Sequence, residues 1–380
     1  MKQLMNQKKI FQLITVSKSV YLLKGQIEYL RENNIDMQLV SSKGKELKKY
    51  SPNIVHKVDM NRDISIIKDI ISLLKLIILF IKEKPYVVNA GTPKAGLLGM
   101  MASFITKRPY RVYTVRGLRL ETVSGVKYKI LYLMEKIAMY CATDIIAISE
   151  SLKNRIIELN LNSNKPITVF GNGSSNGLNL NEYRKENNKL DSNLMSEIQG
   201  QFIVGYVGRI VKDKGIEDLL KAFKLLENRF NKVKLMLIGS IEEGNSVSKS
   251  DLNYIMENEN IIYIDHVEDP VKYYNNMDVF IFPTYREGFG NVSIEAQSVG
   301  VPVITYDVTG AKDTVLNNQT GFIVEAGNYK EIANKIEKLI NDETLKKKFG
   351  ENGERWVKSH FSNEIIWKDM IKFYEKKMGI

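Results

Sequence analysis

The stretch DVFIFPTYREGFGNVSIEAQSVGVPVITYD, residues 278–307, has the pattern of one strand–turn–helix–strand unit. An apolar run rich in β-branched and aromatic residues precedes Pro283, and a second apolar run begins at Val301. Continuous apolar strands that are joined through a helix are typical of a parallel sheet covered on both faces. The unit therefore predicts an α/β fold.

The same alternation of strands and helices runs through the rest of the 380-residue chain. Both halves of the chain show this alternation, which predicts two doubly wound, Rossmann-like domains that face each other across a cleft. Ligands bind beyond the carboxyl ends of the strands in these sheets, so we expect functional residues in the loops that follow strands. The predicted strands lie at 9–16, 36–40, 53–58, 86–90, 110–115, 144–149, 166–170, 202–208, 233–239, 261–267, 278–284, 301–307 and 321–327.

A stretch rich in Asn, Ser and Gly, near residues 172–200, marks the boundary between the two domains. Few apolar residues and many turn-forming residues are typical of a linker. We predict a first domain over residues 1–180, a linker over 181–200 and a second domain over 201–358. The last segment, 359–380, has helical spacing.

The net charge of +11 is concentrated in the first half of the chain. Residues 1–190 hold 31 Lys and Arg against 15 Asp and Glu, whereas the other residues hold 24 against 29. The asymmetry predicts that the first half meets an anionic partner, such as lipid headgroups, a pyrophosphate or nucleic acid. The single cysteine, Cys141, excludes an internal disulfide and favours a reducing compartment. No signal peptide is recognised at the N-terminus, so we expect a cytoplasmic location.

The most apolar segment, residues 64–84, carries Lys68, Asp69, Lys75 and Lys82. These charges argue against a membrane-spanning helix. Two interpretations stay open. We favour a helix that is buried against a sheet, and the alternative is a helix that lies on a membrane surface.

Cations follow the first strand of the second half. Arg209, Lys212 and Lys214 lie between Gly208 and Gly215, where a helix is predicted to begin. Glycines let the backbone approach a ligand, a helix N-terminus favours anions, and both cation types bind phosphate oxygens. The pattern predicts a pyrophosphate site, and a charged surface turn explains it about equally well.

Two carboxylates flank a glycine-rich turn and a helix start. Glu287 lies in the turn with Gly288 and Gly290, and a helix is predicted to begin near Asn291. The free N–H groups of that helix would point at the turn. Glu295, one turn into the helix, is placed to accept two ribose hydroxyls. The alternatives are that Asn291 is only an N-cap and Glu295 only a solvated helix residue.

Charged residues also follow two strands of the first half. Arg116, Arg119 and Glu121 follow the fifth predicted strand, and Lys94 follows the fourth. One interpretation is that these residues line loops that meet a sugar or a phosphate. The alternatives are an Arg–Glu surface pair among the residues after the fifth strand and, for Lys94, only a helix that begins at Pro93.

No metal site and no cofactor are predicted. The three histidines are scattered, and no zinc ligand set, Asp-x-Asp pair, phosphate-binding Walker loop or GxSxG elbow is found. The first strand is not followed by a glycine-rich dinucleotide fingerprint. Arg209 and Lys214 would then neutralise a pyrophosphate in place of a metal ion.

With these motifs the chain resembles the retaining glycosyltransferases of family 4, which have the GT-B fold. The second half carries the resemblance through GR…KG at 208–215, EGFG at 287–290, and the pair Glu287 and Glu295. It continues through GVPVITYDVTGAKDTVLNNQTGFIVEAGN at 300–328. The first half is similar to the members that build bacterial surface polysaccharides such as capsule and lipopolysaccharide, through TPKAGLLGM, YTVRGLRLET, AISESL and GNGSSNGLNL.

The resemblance implies a role for each site residue. Arg209 and Lys214 would bind the donor pyrophosphate. Glu287 would contact the donor sugar, and Glu295 would hold the ribose. Further donor contacts would come from Gly208, Gly288, Phe289, Gly290 and Asn291, and the acceptor or sugar side from Lys94, Arg116, Arg119 and Glu121. The last helix would cross back to the first domain.

Two positions depart from the family pattern. Arg116 stands where many members carry a His near the donor sugar, so no role of that His is transferred to this chain. Asp313 stands where a Glu is more usual, which keeps a carboxylate.

The resemblance implies transfer of a sugar with retention and without a metal ion. The donor would be a UDP-hexose or UDP-N-acetylhexosamine, and the acceptor a saccharide on polyprenyl pyrophosphate at the cytoplasmic face of the plasma membrane. Nucleic acid is not an expected partner, because no basic motif interleaved with aromatic residues is present. The alternatives are a UDP-sugar epimerase of the same fold and a non-catalytic protein that binds nucleotide sugars or anions.

Overall fold

The protein was analysed as a computed structural model that describes residues 8–61, 63, 65–183, 190–242 and 247–379. The chain divides into two compact units. The first consists of Met1–Gly177 with Asn363–Ile380, and the second of Leu178–Ser362. Each unit is a parallel sheet with helices, so the predicted α/β fold class with two doubly wound domains is confirmed.

All the predicted strands are present, each at its predicted place and most of them shorter than predicted. The first unit contains β1 (Ile10–Leu13), β2 (Met37–Ser41), β3 (Val55–Lys57), β4 (Val87–Ala90), β5 (Tyr110–Val115), β6 (Asp144–Ala147) and β7 (Ile167–Thr168). The second contains β8 (Phe202–Val207), β9 (Val233–Ile238), β10 (Ile261–Ile264), β11 (Val279–Phe282), β12 (Val303–Tyr306) and β13 (Gly321–Val324).

Both sheets have the doubly wound strand order. The first runs β3-β2-β1-β4-β5-β6-β7 and the second β10-β9-β8-β11-β12-β13, with parallel pairing throughout. The order reverses between β1 and β4 in one sheet and between β8 and β11 in the other. A crevice for ligands opens beyond the strand ends at such a reversal.

Helices of both units flank these sheets. Between β1 and β7 lie α1 (Gln26–Glu32), α2 (Ile66–Glu83), α3 (Pro93–Ile105), α4 (Gly125–Cys141) and α5 (Glu150–Glu158). The second unit contains α6 (Ser192–Ile198), α7 (Ile216–Glu227), α8 (Lys249–Glu257), α9 (Val271–Tyr274), α10 (Asn291–Ser298), α11 (Tyr329–Asn341) and α12 (Glu343–His360), and the chain ends with α13 (Asn363–Met378).

The terminal helix α13 belongs to the first unit, although the chain reaches it from the second. Ile366 and Tyr374 are buried in the core of the first unit. The Trp367 ring lies 4.8 Å from the Tyr29 ring on α1, and its Nε1 donates to Asn176 Oδ1 at 2.7 Å. Apolar burial on one face of α13 therefore holds the chain end on the first unit.

The stretch predicted as a linker, 181–200, is partly folded. Residues 184–189 lie outside the described part of the chain. The helix α6 begins within the rest, and Leu190 and Ile198 are buried in a core cluster of the second unit. The predicted start of the second domain at 201 is therefore too late, because two apolar residues among the polar ones suffice to pack a short helix.

The favoured interpretation of residues 64–84, a helix buried against a sheet, is wrong for one face of α2. Leu76 and Phe80 are buried, but Ile67 is 75% and Ile78 65% exposed. None of the helices in the described residues is long and apolar enough to cross a membrane. The surface alternative therefore gains weight, since large exposed apolar faces mark interaction sites.

Candidate functional site

The loops that follow β8 and β11 lie side by side, because β8 and β11 are hydrogen-bonded neighbours. Lys214, in the first loop, places Nζ 2.5 Å from Oε2 of Glu287, in the second. The two side chains are only 15% and 28% exposed. Two predicted catalytic residues, far apart in sequence, thus form one partly buried ion pair at the strand reversal.

Further contacts fix these two loops against each other. Gly215 has a φ of +70°, and a Cβ at this position would overlap the Pro283 carbonyl oxygen, so only glycine permits the close approach. The Tyr285 N–H donates to the Asp213 carbonyl at 3.0 Å. Arg286 pairs with the Asp213 carboxylate at 3.2 Å. These contacts preorganise the backbone around Lys214.

Arg209 has a different carboxylate partner. Its Nη1 lies 2.8 Å from Glu242 Oε2, and the two side chains are 46% and 44% exposed. Burial lowers the pKa of Arg209, but the hydrogen bond and the charge of Glu242 outweigh burial and raise that pKa. Such an exposed pair is worth about 0–1 kcal/mol. The guanidinium can therefore exchange Glu242 for another anion at little cost.

The glycine turn leads directly into α10. Gly288 and Phe289 are buried, and the Phe289 ring packs 5.3 Å from that of Phe361. Gly290 is the N-cap of α10 and provides no capping side chain, so Asn291 is the first residue of the helix and not its cap. The start of α10, next to Glu287, thus offers backbone donors to an anion.

Glu295 is held by tyrosines. The Tyr274 hydroxyl donates to Glu295 Oε2 at 3.0 Å. Burial and the charge of Glu295 raise the pKa of Tyr274, and the same two causes raise the pKa of Tyr183. The alternative that Glu295 is merely a solvated helix residue is wrong, because its carboxylate is oriented by buried hydroxyls.

Lys94 has a carboxylate partner in this structure. Its side chain is 4% exposed, and Nζ lies 2.5 Å from Asp69 Oδ2 on α2 and 2.9 Å from the Asp63 carbonyl oxygen. Lys94 therefore stays a predicted residue of the acceptor or sugar side, but its charge is compensated within the first unit. The carboxylate 25 residues earlier neutralises it.

Arg116 lies in the crevice of the first unit. It follows β5 and donates through Nη1 to the Gly91 carbonyl oxygen, at the end of β4. A side chain at Gly91 would overlap the guanidinium. Burial lowers the pKa of Arg116 to about 10. The Gly91 carbonyl oxygen is neutral, so this contact does not compensate the charge of the guanidinium.

The other two charged residues after β5 have separate environments. Arg119 is exposed, at the start of a 3-10 turn over Arg119–Thr122. Glu121 is 12% exposed and lies 3.5 Å from Nε of Arg155 on α5. Glu121 thus forms an Arg–Glu pair, as the sequence allowed, with an arginine 34 residues further along the chain.

Sequence reasoning missed several residues of these sites. Glu242, Tyr274 and Tyr183 hold predicted residues but carry no motif of their own. Asp213 and Arg286 lie inside the two quoted motifs, and their opposite charges were the available signal. Among the described residues no group of three or more His, Cys, Asp and Glu side chains is placed to hold a metal ion.

Comparisons with known proteins agree with this architecture. The family model "Glycosyl transferases group 1" matches residues 193–356, and "Glycosyl transferase 4-like" matches residues 9–149. The capsular polysaccharide biosynthesis glycosyltransferase CapM of Staphylococcus aureus is 58% identical over 97% of each chain. The UDP-Gal:alpha-D-GlcNAc-diphosphoundecaprenol alpha-1,3-galactosyltransferase of Escherichia coli is 27% identical over 84% of each.

A solved structure extends the comparison to the fold. Sucrose-phosphate synthase from Thermosynechococcus elongatus superposes with a TM-score of 0.79 over 97% of this chain and 99% of that one, at 19% identity. That likeness concerns the fold alone, while the relative from Staphylococcus aureus is similar along nearly the whole chain. The chain therefore belongs to the GT-B glycosyltransferases, in the same family as that capsular polysaccharide enzyme.

Proposed function

We propose that this glycosyltransferase moves a hexose or N-acetylhexosamine from a UDP-sugar to a lipid-linked saccharide in capsular polysaccharide biosynthesis. One observation carries the proposal. Lys214 and Glu287 form an ion pair at the strand reversal of the second unit, beside the start of α10, where Gly290 supplies no capping side chain. A cation, a carboxylate and backbone donors are the groups that a nucleotide diphosphate sugar requires.

Each residue of the second unit has a proposed task. Lys214 exchanges Glu287 for the donor pyrophosphate, and Arg209 exchanges Glu242 in the same way. Glu287, once released, accepts hydroxyls of the donor sugar. Glu295, oriented by its tyrosines, accepts the ribose hydroxyls. Backbone donors next to the sugar and phosphate come from Gly208, Gly288, Phe289, Gly290 and Asn291.

The reaction retains the anomeric configuration. The sugar–phosphate bond breaks as an oxocarbenium-like centre forms, and negative charge grows on the leaving phosphate. Lys214, Arg209 and the N–H groups of α10 stabilise that charge where it develops, which makes a metal ion unnecessary. The acceptor attacks from the same face, and the leaving phosphate oxygen takes its proton. A covalent sugar trapped on Glu287 would overturn this assignment.

The first unit supplies the acceptor side. The relative from Escherichia coli is named for an acceptor on diphosphoundecaprenol. The excess of cations in residues 1–190 suits such an anionic acceptor. Arg116 and Arg119 are the cations we assign to it, whereas Glu121 and Lys94 act by fixing the neighbouring turns.

We also place the enzyme on the cytoplasmic face of the plasma membrane as a peripheral protein. The exposed face of α2 presents Ile66, Ile67, Ile70, Ile71, Leu74, Ile78 and Ile81. An apolar face on a basic unit binds anionic bilayers both by burying apolar surface in the membrane interface and by attracting the negative lipid headgroups. Flotation with vesicles of anionic lipid tests this. Ile67→Ser with Ile78→Ser should abolish flotation, and wild-type protein that fails to float at low salt would refute the placement.

The comparisons favour transfer over the two alternatives, because the matched family models and the relatives reported above are transferases. A thermal-shift panel of nucleotide diphosphate sugars, with EDTA present, tests the donor. A ligand that binds the native state raises the unfolding temperature by mass action. We expect a UDP-sugar to stabilise the protein with EDTA present. Stabilisation only after a divalent metal is restored would refute the metal-independent mechanism, and no stabilisation by any sugar nucleotide would refute the function.

A further inference from the structure

A pocket of about 540 Å³ lies within the first unit, between α3, α4 and β5. Its volume is within the range of about 300–1,000 Å³ in which small-molecule sites fall. Apolar side chains make up most of its wall, among them Leu131, Met134 and Ala138 on α4. The donor residues proposed above lie in the other unit, and none of them lines this pocket.

The charged groups of the pocket are unevenly distributed. Arg119 and Lys127 line it and are exposed, and among the described residues neither has an ion-pair partner. Lys94 is neutralised by Asp69. Glu135 is buried, and the Tyr113 hydroxyl donates to it at 2.8 Å. The exposed Asp63 also lines the pocket, so the two exposed cations outnumber the exposed carboxylate by one, while the inner wall offers no free cation among the described residues.

The pocket is continuous with an exposed apolar stripe. Val126 and Ile130 line it and are also 73% and 45% exposed. Leu133, on the same helix, is exposed but does not line the pocket. The apolar wall of the pocket therefore continues onto the outer surface of α4 through Val126 and Ile130.

Burial sets the charge on the inner wall. The pKa of Glu135 rises to about 7, because burial outweighs the hydrogen bond from Tyr113. The carboxyl is therefore largely protonated below that pH. A protonated carboxyl that is satisfied by a hydroxyl is compatible with an apolar ligand, whereas an anion placed there would meet no compensating charge.

We propose that this pocket holds the first isoprene units of the acceptor's polyprenyl chain, with the adjoining diphosphate between Arg119 and Lys127. The inference rests on the proposed function, because the occupant is the lipid part of that acceptor. An apolar body with an anionic head matches the apolar wall and the exposed cations. The saccharide, on the other side of the diphosphate, lies outside the pocket.

Calorimetric titration tests the assignment with inorganic pyrophosphate, geranyl diphosphate and geranylgeranyl diphosphate, each below the concentration at which it aggregates. Since each buried methylene group strengthens binding several-fold, we expect the longest chain to bind at least about tenfold more tightly than pyrophosphate. Met134→Trp fills the pocket and should reduce that ratio to about threefold or less. Leu133→Trp adds the same ring to the exposed side of α4 and should leave the ratio unchanged.

Equal affinity for the three ligands would overturn the proposal, as would a chain-length effect that survives Met134→Trp. Leu131→Trp provides a second filled pocket if the first variant unfolds. Sedimentation at the titration concentration shows whether a second copy of the chain covers the pocket, which would also overturn it. The thermal shift caused by UDP should be the same in all variants. Its absence from the wild type speaks against the proposed function, not against the pocket.

Discussion

Replacing Lys214 by Met is the sharpest test of the donor site. Methionine keeps the length of the side chain but removes its charge, so the packing beside Gly215 changes little. The ion pair with Glu287 at 2.5 Å is lost, and so is the cation that we assign to the donor pyrophosphate. The two losses are separable, because only the second affects the affinity for UDP directly.

The expected magnitude follows from the type of contact. A charge-assisted hydrogen bond contributes about 1.5–3 kcal/mol, which corresponds to a loss of roughly ten- to 150-fold in UDP affinity. Glu287→Gln should change UDP affinity in the opposite direction. It releases Lys214 from a competing pair that is less exposed than a surface pair and therefore worth at least about 1 kcal/mol, so UDP affinity should rise about fivefold or more. Binding of the complete UDP-sugar should gain less, because the carboxylate for the sugar hydroxyls is gone.

Calorimetry with UDP measures these affinities, and Lys212 offers a matched control. Lys212 lies two residues away, is 57% exposed and is 3.7 Å from Glu217. Lys212→Met should change UDP affinity by less than about threefold. If Lys214→Met and Lys212→Met bind UDP equally well, the phosphate assignment is wrong and the Lys214–Glu287 pair is only structural. Urea unfolding of each variant separates that outcome from a loss of fold.

Three further predictions concern single contacts. Tyr274→Phe removes the hydroxyl that orients Glu295, and should raise the KM for the UDP-sugar several-fold while lowering the free energy of unfolding by about 1 kcal/mol, measured by kinetics and urea unfolding. Glu242→Gln frees the exposed Arg209 and should leave UDP affinity within about threefold of wild type or raise it, measured by calorimetry; a tenfold loss would contradict the exchange of partners. Glu135 has a pKa raised from 4.5 to about 7, so the folded state binds more protons than the unfolded state in that window and stability falls as pH rises through it. The free energy of unfolding of Glu135→Gln, relative to that of wild type, should therefore rise by up to about 3 kcal/mol between pH 4.5 and pH 8, measured by urea unfolding. If the variant differs from wild type by the same free energy at both pH values, the burial effect is refuted.

The fold could be predicted because its signal is local and repeated. Most strands of both sheets are short apolar runs, and these runs are apolar on both faces because helices cover both sides of a parallel sheet. The bounds of the strands were predicted less accurately than their positions. Residues 166–170, predicted as one strand, form only Ile167–Thr168, because β7 lies at the edge of its sheet and pairs on one side.

The donor residues could be proposed because each follows a strand within a recognisable motif, but their partners could not. Glu242 and Tyr274 reach Arg209 and Glu295 from loops and helices 33 and 21 residues away, and no spacing rule connects such positions. The partner of Lys94 could not be predicted for the same reason. The position of this lysine after β4 suggested an anion site, and only the packing of α2 reveals the carboxylate that neutralises it.

The helix α2 shows a different limit of sequence reasoning. Apolar residues fill most of its positions, and composition of this kind is typical of a helix buried on all sides. Burial depends on how many neighbours surround the helix, which its own sequence does not encode. In the structure the face around Leu76 packs inward, while the face around Ile67 and Ile78 has no cover from the described residues of the chain.

Burial also ranks the cations by their capacity to take part in ligand exchange. Arg209 and Glu242 are nearly half exposed, so water replaces either partner at little cost and the pair opens freely. Lys94 is 4% exposed, and separating it from Asp69 would leave a charge buried without a partner, a loss of several kcal/mol. Lys214, at 15%, lies between these limits. An incoming phosphate must supply at least as much as Glu287 does, so the pair at the strand reversal would open for a dianionic pyrophosphate and remain closed to weaker anions.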